Sequence, residues 1–358
     1  MISYWIKQFY FVVITLFGVL CLVFFLFSVL PGDPAQMMLG QHENKEQIKQ
    51  IHAKYGLNLP LEQQFGYWVN DVSVVSFHQF SDENKINYWS DDKYSGSCLQ
   101  LSDDFGIALK FPYLRESFQK KGQTVNSILG GKIKNTFVLA TASIFIAFVF
   151  GVLLGIFLHI STISWLKQLV ELLSLTGMAL PSFFASVLIS WFFGFYLSEY
   201  LPFSMTGSLY EVDDFGEGKY IAWKNLVLPA ITLGIRPLAV ISQLTKASID
   251  QVMEEDYIRT AKSKGLSNLQ VLIRHGIKNA LNPVITATSG WFASLLAGAV
   301  FVEYIFAWDG IGKLLVEALE TLDLPLVMGI VLFIAGIFIL INIFVDFIYK
   351  LLDPRIKI

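Results

Sequence analysis

Five long stretches of this sequence contain no aspartate, glutamate, lysine or arginine. A helix needs about 20 predominantly apolar residues to cross the hydrocarbon core of a bilayer, and every stretch reaches that length. Because backbone groups in lipid must be hydrogen-bonded within the spanning structure, these stretches predict membrane helices. They are Phe9–Leu30, Asn135–Ile160, Leu172–Ser198, Asn279–Val302 and Leu324–Val345.

A sixth stretch, Asn225–Thr245, is a weaker candidate because it contains Arg236 and two prolines. Counting it, we expect an all-α integral membrane protein with six transmembrane helices. Charged residues make up 15% of the chain, below the roughly 25% found in soluble domains, which supports this class. The first stretch is longer than the apolar core of a signal peptide, so we expect it to remain as the first span.

The sequence contains no residue pattern that is typical of an active site or a metal centre. Cys21 and Cys98 are too few for a disulfide framework, and the five histidines are scattered. The glycine-rich stretches Gly130–Thr136 and Gly310–Leu315 lack the spacing of a Walker-A loop. We therefore expect no catalytic residue, metal or cofactor in this chain, which argues against a membrane-embedded enzyme.

Lysine and arginine are concentrated in one loop. Lys246–Asn282 carries six of them, whereas Glu199–Lys224 carries two and Glu303–Asp323 carries one. Because short cytoplasmic loops are enriched in these residues, we expect the first loop inside the cell and the other two outside. With six spans, both termini then lie in the cytoplasm.

The stretches divide the chain into an N-terminal span at 1–30, an external region at 31–134, and a core at 135–358. The core holds five spans and the cytoplasmic loop 246–282. In the external region, a helix-like segment is followed by a polar and aromatic segment at 72–101. We interpret the external region as a partly folded cap, with 72–101 as an insertion of low order.

The basic loop has the pattern of a helix, a break and a second helix. Met253, Tyr257 and Ala261 fall on one helical face at i, i+4, i+8 spacing. Gly265 is placed where the residue after a helix adopts the left-handed conformation. The sequence therefore predicts that the first helix ends just before Gly265.

Ser267 and Gln270 have the spacing of a capping box, which predicts a short second helix at Ser267–Ala280. Pro283 would then mark the start of the next span. The apolar stripe of the predicted short helix consists of Leu269, Leu272, Ile273, Ile277 and Ala280. The other face presents Arg274 and Lys278. Two interpretations stay open: a helix resting on anionic lipid, or a docking element for a cytoplasmic partner.

Several segments resemble one family of membrane proteins, in the same order along nearly the whole chain. "EDYIRTAKSKGLS" at 255–267 and "RHGIKNALNPVIT" at 274–286 look like the cytoplasmic loop of ABC-importer permeases of the dipeptide, oligopeptide and nickel branch. The first span and the large outer loop resemble those of the first of two permease subunits. Further matching segments are "PGDPA" at 31–35, "LPSFF" at 180–184, "LPAITLG" at 228–234 and "FVEYIFAWDGIGKLL" at 301–315.

This resemblance implies a permease of the ABC importer type I fold, in the inner membrane of a bacterium. Its partners would be a second homologous permease, two ABC ATPase subunits, an extracytoplasmic substrate-binding protein and the lipid bilayer, with no nucleic acid. The implied cargo is a di- or oligopeptide, with nickel chelates or glutathione as alternatives. A stand-alone secondary transporter or channel is a second class, but apart from Arg236 the spans lack mid-membrane charges.

In the family, the cytoplasmic loop sits in a groove on the ATPase subunit. Arg259, Thr260, Ala261 and Gly265 occupy the generic Glu-Ala-Ala-x-x-x-Gly pattern, and only Ala261 and Gly265 match its letters. The resemblance implies a set of coupling residues in this loop. They are Asp256, Tyr257, Arg259, Thr260, Ala261, Lys262, Gly265, Leu266, Ser267, Leu269, Leu272, Arg274, His275 and Asn279.

Arg236, Pro181 and Ser182 are candidates for lining the translocation path. A charge within a span normally faces protein or water, and Arg236 could meet a peptide carboxylate there. The alternative is that Arg236 forms a structural ion pair with an acidic side chain. The acids considered are Glu171, Glu303 and Asp346.

Overall fold

A computed structural model describes residues 2–28, 33–39, 45–83, 85–213 and 218–352 of the chain. The helices are α1 (Ile2–Ser28), α2 (Pro34–Leu39), α3 (Lys45–Tyr55), α4 (Leu61–Val72), α5 (Val125–Ile160), α6 (Ser164–Ala179), α7 (Ser182–Ile189), α8 (Lys224–Met253), α9 (Asp256–Ser263), α10 (Asn268–Val271), α11 (Ile277–Gly298), α12 (Val300–Ile305), α13 (Ile311–Glu320) and α14 (Leu324–Leu352). The strands are β1 (Val75–Gln79), β2 (Gly96–Gln100), β3 (Phe105–Lys110), β4 (Tyr210–Val212) and β5 (Lys219–Ile221). Two π-helical segments, Ser190–Tyr196 and Leu272–Gly276, continue α7 and α10.

Among the described residues, four helices are long and apolar enough to cross a membrane: α1, α5, α8 and α14. A fifth candidate is the pair formed by α6 and α7 with its π segment, which is bent by 113°. The predicted stretch Asn279–Val302 corresponds largely to α11, a helix of 22 residues. The prediction of a helical membrane protein is confirmed, and α11 as a sixth span stays a prediction.

The stretch Leu172–Ser198, predicted to be one continuous helix, is interrupted by a bend. Leu180 leaves the helical conformation (ψ 128°), which is the usual behaviour of a residue before proline. A new helix starts after Pro181, whose carbonyl oxygen accepts a hydrogen bond from the Ala185 N–H at 3.0 Å. The proline ring therefore sets the bend between α6 and α7.

The chain forms two compact units, Met1–Gly131 with Leu315–Gly336, and Lys132–Leu314 with Ile337–Ile358. The first unit contains an antiparallel sheet of three strands in the order β1-β3-β2. Its register pairs Val75 with Leu109 and Leu99 with Ile107. One face of the sheet covers a cluster built from Trp89, Tyr94, Ala108 and Tyr113.

The expectation of low order at 72–101 was therefore wrong, and the all-α expectation missed this sheet. Most residues of the segment belong to β1, β2 or the turns that carry the aromatic cluster. Trp89 stacks on Tyr94 with ring centroids 5.4 Å apart, and the His78 ring lies 4.5 Å from Tyr94. The aromatic residues of this segment form a small core of their own.

Buried charges in the first unit meet at Asp71. Its carboxylate accepts hydrogen bonds from Arg115 Nε at 2.8 Å and from the Tyr94 hydroxyl at 3.0 Å. The ammonium of Lys110 donates to the backbone carbonyls of Asp71 and, at 3.2 Å, Ser73. Burial lowers the pKa of Lys110 to about 8. Pairing of this kind is required because an isolated buried charge is costly.

Helix α8 lies at the centre of the second unit. In the apolar 18-residue stretch of α8, 61% of the residues are buried inside the protein, and in that of α5 the share is 28%. The two helices approach closely at two glycines of α5, as the spacing Gly151–Gly155 allows. A Cβ atom added to Gly155 would lie 2.6 Å from the Ser242 carbonyl oxygen, and one added to Gly151 would lie 2.7 Å from Ile241.

The segment that follows α12 folds into a turn held against α5. The fully buried Glu303 carboxylate accepts a hydrogen bond from the Gly312 N–H at 2.6 Å. Asn135 donates to the Asp309 carbonyl at 2.7 Å, and the Trp308 indole donates to the Asn135 carbonyl at 3.0 Å. These bonds fix the start of α13 beside α5.

Candidate coupling surface

The basic loop begins with a break after α8. Helix α8 ends at Met253, and Glu255 is extended (φ −66°, ψ 149°) before α9 starts at Asp256. Because of this break, Met253 and Tyr257 do not lie on one helix, which corrects the face predicted from their spacing. Ile258 and Ala261 form the buried side of α9, whereas Tyr257 is 40% exposed.

The corner between α9 and α10 has the predicted chemistry. Gly265 adopts φ +84°, a left-handed conformation that favours glycine. Ser267 then caps α10, since its hydroxyl accepts a hydrogen bond from the Gln270 N–H and the Gln270 side chain accepts one from the Ser267 N–H at 3.1 Å. Both sequence predictions, the glycine corner and the capping box, are confirmed.

The predicted short helix Ser267–Ala280 is not a separate element. Helix α10 begins at Asn268 and continues through the π segment Leu272–Gly276 into α11, which runs to Gly298. Pro283 lies inside α11 and does not mark its start. The loop residues after Gly265 are therefore the first turns of a long helical element.

Buried side chains attach this element to α8 and α9. Val271 packs with Ile258 and Ala261, and Leu266 lies against the same cluster. Leu272 packs with Ile249 of α8. Leu272 and Ala261 are therefore anchors inside the protein, and a partner cannot contact them directly.

A polar contact braces the same corner. The Asn279 amide donates to the Tyr257 hydroxyl at 2.8 Å, which joins α9 to α11. Arg259 lies 3.5 Å from Asp256 with both side chains exposed, an arrangement that contributes little to stability. The Thr260 hydroxyl donates to the Asp256 carbonyl within α9 at 3.1 Å.

The outer side of the loop carries two exposed apolar side chains in a basic surrounding. Leu269 is 58% exposed and Ile273 is 59% exposed. They are four residues apart on a helical element, so they lie on the same side. His275 is half-buried. The exposed candidate residues around them are Asp256, Tyr257, Arg259, Thr260, Lys262, Gly265, Ser267, Arg274 and Asn279.

Two side-chain contacts hold the end of α8 that leads into the loop. Lys246 Nζ lies 2.5 Å from Glu171 of α6, and His159 Nδ1 of α5 lies 2.6 Å from Asp250. Glu171 was one of the acids considered as a partner of Arg236. In the structure its partner is Lys246. Neither contact can be predicted from the sequence, because its residues are 75 or 91 positions apart and give no local signal.

In the described part of the chain, no hydrogen bond or ion pair joins Arg236 to Pro181 or Ser182, which are neighbours in the sequence. Arg236 is exposed on α8 and forms no ion pair with a described side chain. Glu303 is also excluded as its partner, because its carboxylate is buried and binds the Gly312 N–H. The side chain of Asp346 lies outside the described residues. Pro181 and Ser182 form the α6–α7 bend.

Long apolar helices, one of them α8, which leads into a basic loop with exposed apolar side chains, define a helical membrane protein. The family model described as "Binding-protein-dependent transport system inner membrane component" matches residues 126–358. The model of the N-terminal region of the same components matches residues 1–86. This chain therefore belongs to the family of inner membrane components of binding-protein-dependent transport systems.

Full-length relatives agree with this assignment. The dipeptide transport system permease protein DppB of Alkalihalophilus pseudofirmus is 30% identical, with 100% of each chain covered. The glutathione transport system permease protein GsiC is 30% identical in Pectobacterium atrosepticum and 29% identical in Escherichia coli K12, with 100% of this chain and 99% of each relative covered. A solved amino acid ABC transporter with histidines covers 64% of this chain at 16% identity and TM-score 0.46.

The family fixes the class of function. The chain is a multi-pass permease subunit of an ABC importer in the inner membrane, and it is not an enzyme. ATP hydrolysis belongs to separate ATPase subunits, and a substrate-binding protein is the other kind of partner that the family implies.

Proposed function

We propose that this chain is the permease subunit of an importer for di- or oligopeptides, and that it pairs with a second, homologous permease. The names of two relatives support this choice of cargo. DppB is named a dipeptide transport permease, and GsiC is named for glutathione, which is itself a tripeptide. Glutathione is the alternative cargo. Two ATPase subunits would dock below the pair, and the excess of lysine and arginine in 246–282 supports a cytoplasmic position for the docking loop and both termini.

The observation that carries the docking proposal is the exposed pair Leu269 and Ile273. Apolar side chains on one side of a helix are the anchors by which helices bind in grooves of a partner. The surrounding Arg259, Lys262 and Arg274 would supply polar contacts at the rim. A membrane-surface helix would use the same residue types, so the experiment below separates a protein groove from lipid.

The mechanism follows from the continuity of the element. A push on Leu269 and Ile273 is passed into α11, because α10, the π segment and α11 form one helical rod. The ion pair Lys246–Glu171 and the hydrogen bond between His159 and Asp250 tie the end of α8 to α6 and α5. ATP-driven closure of the ATPases would then rock the spans as rigid bodies between inward-open and outward-open states.

The test is a charge placed at the anchors. We expect Leu269→Asp with Ile273→Asp to abolish co-purification of the ATPase subunits and to lower ATP-dependent uptake of a labelled dipeptide in proteoliposomes at least tenfold. Folding should be unaffected, since both side chains are exposed. Ile163→Asp is the matched control, an exposed apolar residue between α5 and α6 (48% exposed).

Retention of the ATPases and of uptake in the double variant would refute the docking assignment. Uptake that needs no ATPase subunit would refute the importer mechanism and favour a secondary transporter. Competition by unlabelled glutathione that exceeds competition by dipeptides would transfer the cargo assignment to glutathione.

A further inference from the structure

The sheet of the first unit leaves one face uncovered, and that face is apolar. Side chains of a strand alternate between faces, so Val75 and Phe77 of β1 share a face with Ile107 and Leu109 of β3, their register partners. Leu99 of β2 pairs with Ile107 and joins them. We call this set, with Phe105 of β3 and the flanking Leu101 and Phe111, the apolar sheet face.

The exposure of this face is large. Leu109 is 63% exposed, Leu99 is 69% exposed and Phe111 is 78% exposed. The other positions on the same face, Gln79 and Ser97, are polar but uncharged. An antiparallel sheet that faces water on one side normally carries polar residues there, and contiguous exposed apolar patches mark interaction sites.

The opposite, buried face of the sheet carries polar residues, and these residues are hydrogen-bonded. Ser76, His78 and Lys110 point into the unit and are buried. The Ser76 hydroxyl lies 2.8 Å from His78 Nε2, and Lys110 donates to backbone carbonyls. The polar residues of the strands therefore have partners, and the apolar residues are the ones left without cover.

The sheet is attached to a membrane helix through α4. Phe24, near the end of α1, packs against Phe65 and Trp68 of α4 with ring centroids 5.1 and 5.7 Å apart. Asn70 of α4 then binds the edge of β1, donating to the Phe77 carbonyl and accepting from the Phe77 N–H at 2.8 Å. The start of β1 is thus held close to the point where α1 ends.

The end of β3 is attached to a second membrane helix. Four residues after β3, Leu114 lies against α14 at Gly329, where an added Cβ would lie 3.3 Å from the Leu114 Cβ. Gly329 is the sixth residue of α14, about 8 Å along that helix at 1.5 Å per residue. Since Val75 pairs with Leu109, the start of β1 and the end of β3 lie at the same end of the sheet.

We propose that the apolar sheet face lies on the lipid bilayer, in the interfacial region of the leaflet where α1 ends. The two helices that hold this end of the sheet, α1 and α14, are both long and apolar enough to cross a membrane. The β2–β3 turn, which carries Asp103 and Asp104 at the other end, would remain in water. Insertion of Leu99, Leu109 and Phe111 replaces contact with water by contact with acyl chains.

The composition of the face favours lipid over a protein that binds and leaves. Interfaces between proteins that associate reversibly are only about 57% non-polar, whereas the strand positions of this face carry no charge and only two polar residues, Gln79 and Ser97. A soluble substrate-binding protein would expose the face to water each time it departed. Strands β2 and β3 also lie between the ranges 1–86 and 126–358 matched by the family models, so the family does not account for this surface.

The test uses spin labels on the full chain in lipid nanodiscs. Cys21 and Cys98 are replaced by serine, and single cysteines are introduced by Leu109→Cys, Leu99→Cys and Val75→Cys for labelling. Collision rates with oxygen, which concentrates in lipid, and with a water-soluble nickel chelate are then compared. We expect high oxygen and low nickel collision rates on the face, and the reverse for the control Asp103→Cys in the turn.

Two outcomes would overturn the proposal. High nickel collision rates at all three face positions would place the face in water. Low rates for both reagents would mean that protein covers it, and repeating the measurement with the substrate-binding protein present and absent would identify that cover. Agreement among three positions guards against a local disturbance by one label, and unchanged thermal unfolding of each variant confirms that it is folded.

Discussion

The carboxylate of Asp323 accepts a hydrogen bond from the backbone N–H of Phe118 at 3.0 Å, although the residues are 205 positions apart. The same carboxylate accepts a hydrogen bond from the Ser117 hydroxyl and, at 3.4 Å, one from the Gln119 N–H. Asp323 is fully buried at the start of α14. It therefore fixes the segment that precedes α5 to the beginning of the last membrane helix.

We expect Asp323→Ala to lower the free energy of unfolding by about 3 kcal/mol, because hydrogen bonds to charged groups are strong and their donors would be left buried. Asp323→Asn should lose less, since it keeps one acceptor oxygen. The measurement is thermal unfolding of the purified protein in detergent. Asp103→Ala, in an exposed turn, is the control, and equal unfolding of Asp323→Ala and Asp103→Ala would show that the contact is not stabilising.

The contact between α5 and α8 predicts opposite effects for two glycines of one helix. Gly155→Ala should destabilise the protein, because the added Cβ would lie 2.6 Å from the Ser242 carbonyl oxygen. Gly130→Ala has nothing within 4 Å and should be neutral or stabilising, since alanine is favoured over glycine in helices by about 1 kcal/mol. Melting temperatures of the two variants test this order, and a neutral Gly155→Ala would rule out the close approach.

Gly265 predicts a loss of coupling that a second glycine should not show. Gly265 and Gly122 have φ of +84° and +76°, and neither has an atom within 4 Å of an added Cβ. Replacing either by alanine should cost about 1 kcal/mol of backbone strain. Only Gly265→Ala should raise the ATP hydrolysed per peptide transported, because only Gly265 forms the corner of the proposed docking element. The measurement is paired ATPase and uptake assays in proteoliposomes, and a raised ratio for Gly122→Ala as well would remove the special role of Gly265.

The Lys246–Glu171 pair, 2.5 Å apart, predicts a rescue by charge exchange. Lys246→Glu places two carboxylates together and should reduce uptake. Lys246→Glu with Glu171→Lys should restore much of it, since the pair is re-formed with its charges exchanged. Partly exposed pairs are worth under about 1 kcal/mol, so we expect a several-fold effect and no unfolding. Failure of the exchange to restore any uptake would show that the residues act separately.

Lys110 predicts stability that increases with pH. Burial lowers its pKa in the folded protein to about 8, from 10.5. Between these values the unfolded chain binds more protons, so the free energy of unfolding rises with pH through this window and gains nothing below pH 8. The melting temperature of the wild type should rise between pH 7.5 and 9.5 relative to Lys110→Met. The exposed Lys121→Met should keep the wild-type slope.

The sequence predicted local features of the coupling loop well. Gly265 and the Ser267–Gln270 capping box depend on neighbouring residues alone, and both are found as expected. It failed at Pro283, which lies inside α11, and at the face predicted for Met253 and Tyr257, which lie on different helices. Neither the break between α8 and α9 nor the continuation of the helix past Pro283 can be read from the spacing of residue types.

The sheet was missed for a related reason. In β1 the buried positions are Ser76 and His78, and the exposed positions include Val75 and Phe77. The alternation of apolar and polar residues predicts that the apolar residues face the interior. Here the interior is polar and hydrogen-bonded. Only the tertiary structure shows that Asp71, Tyr94 and Lys110 make such an interior possible.

The sequence by itself determined that this is a membrane protein, because its uncharged stretches are long enough to cross the hydrocarbon core. It also indicated the family, through motifs in a fixed order. The tertiary structure decided the bend at Pro181, the continuity of α10 with α11, the partner of Glu171 and the uncovered face of the sheet. Each of these is set by contacts between residues far apart in the chain. Such contacts depend on packing geometry, which no local pattern of residue types encodes.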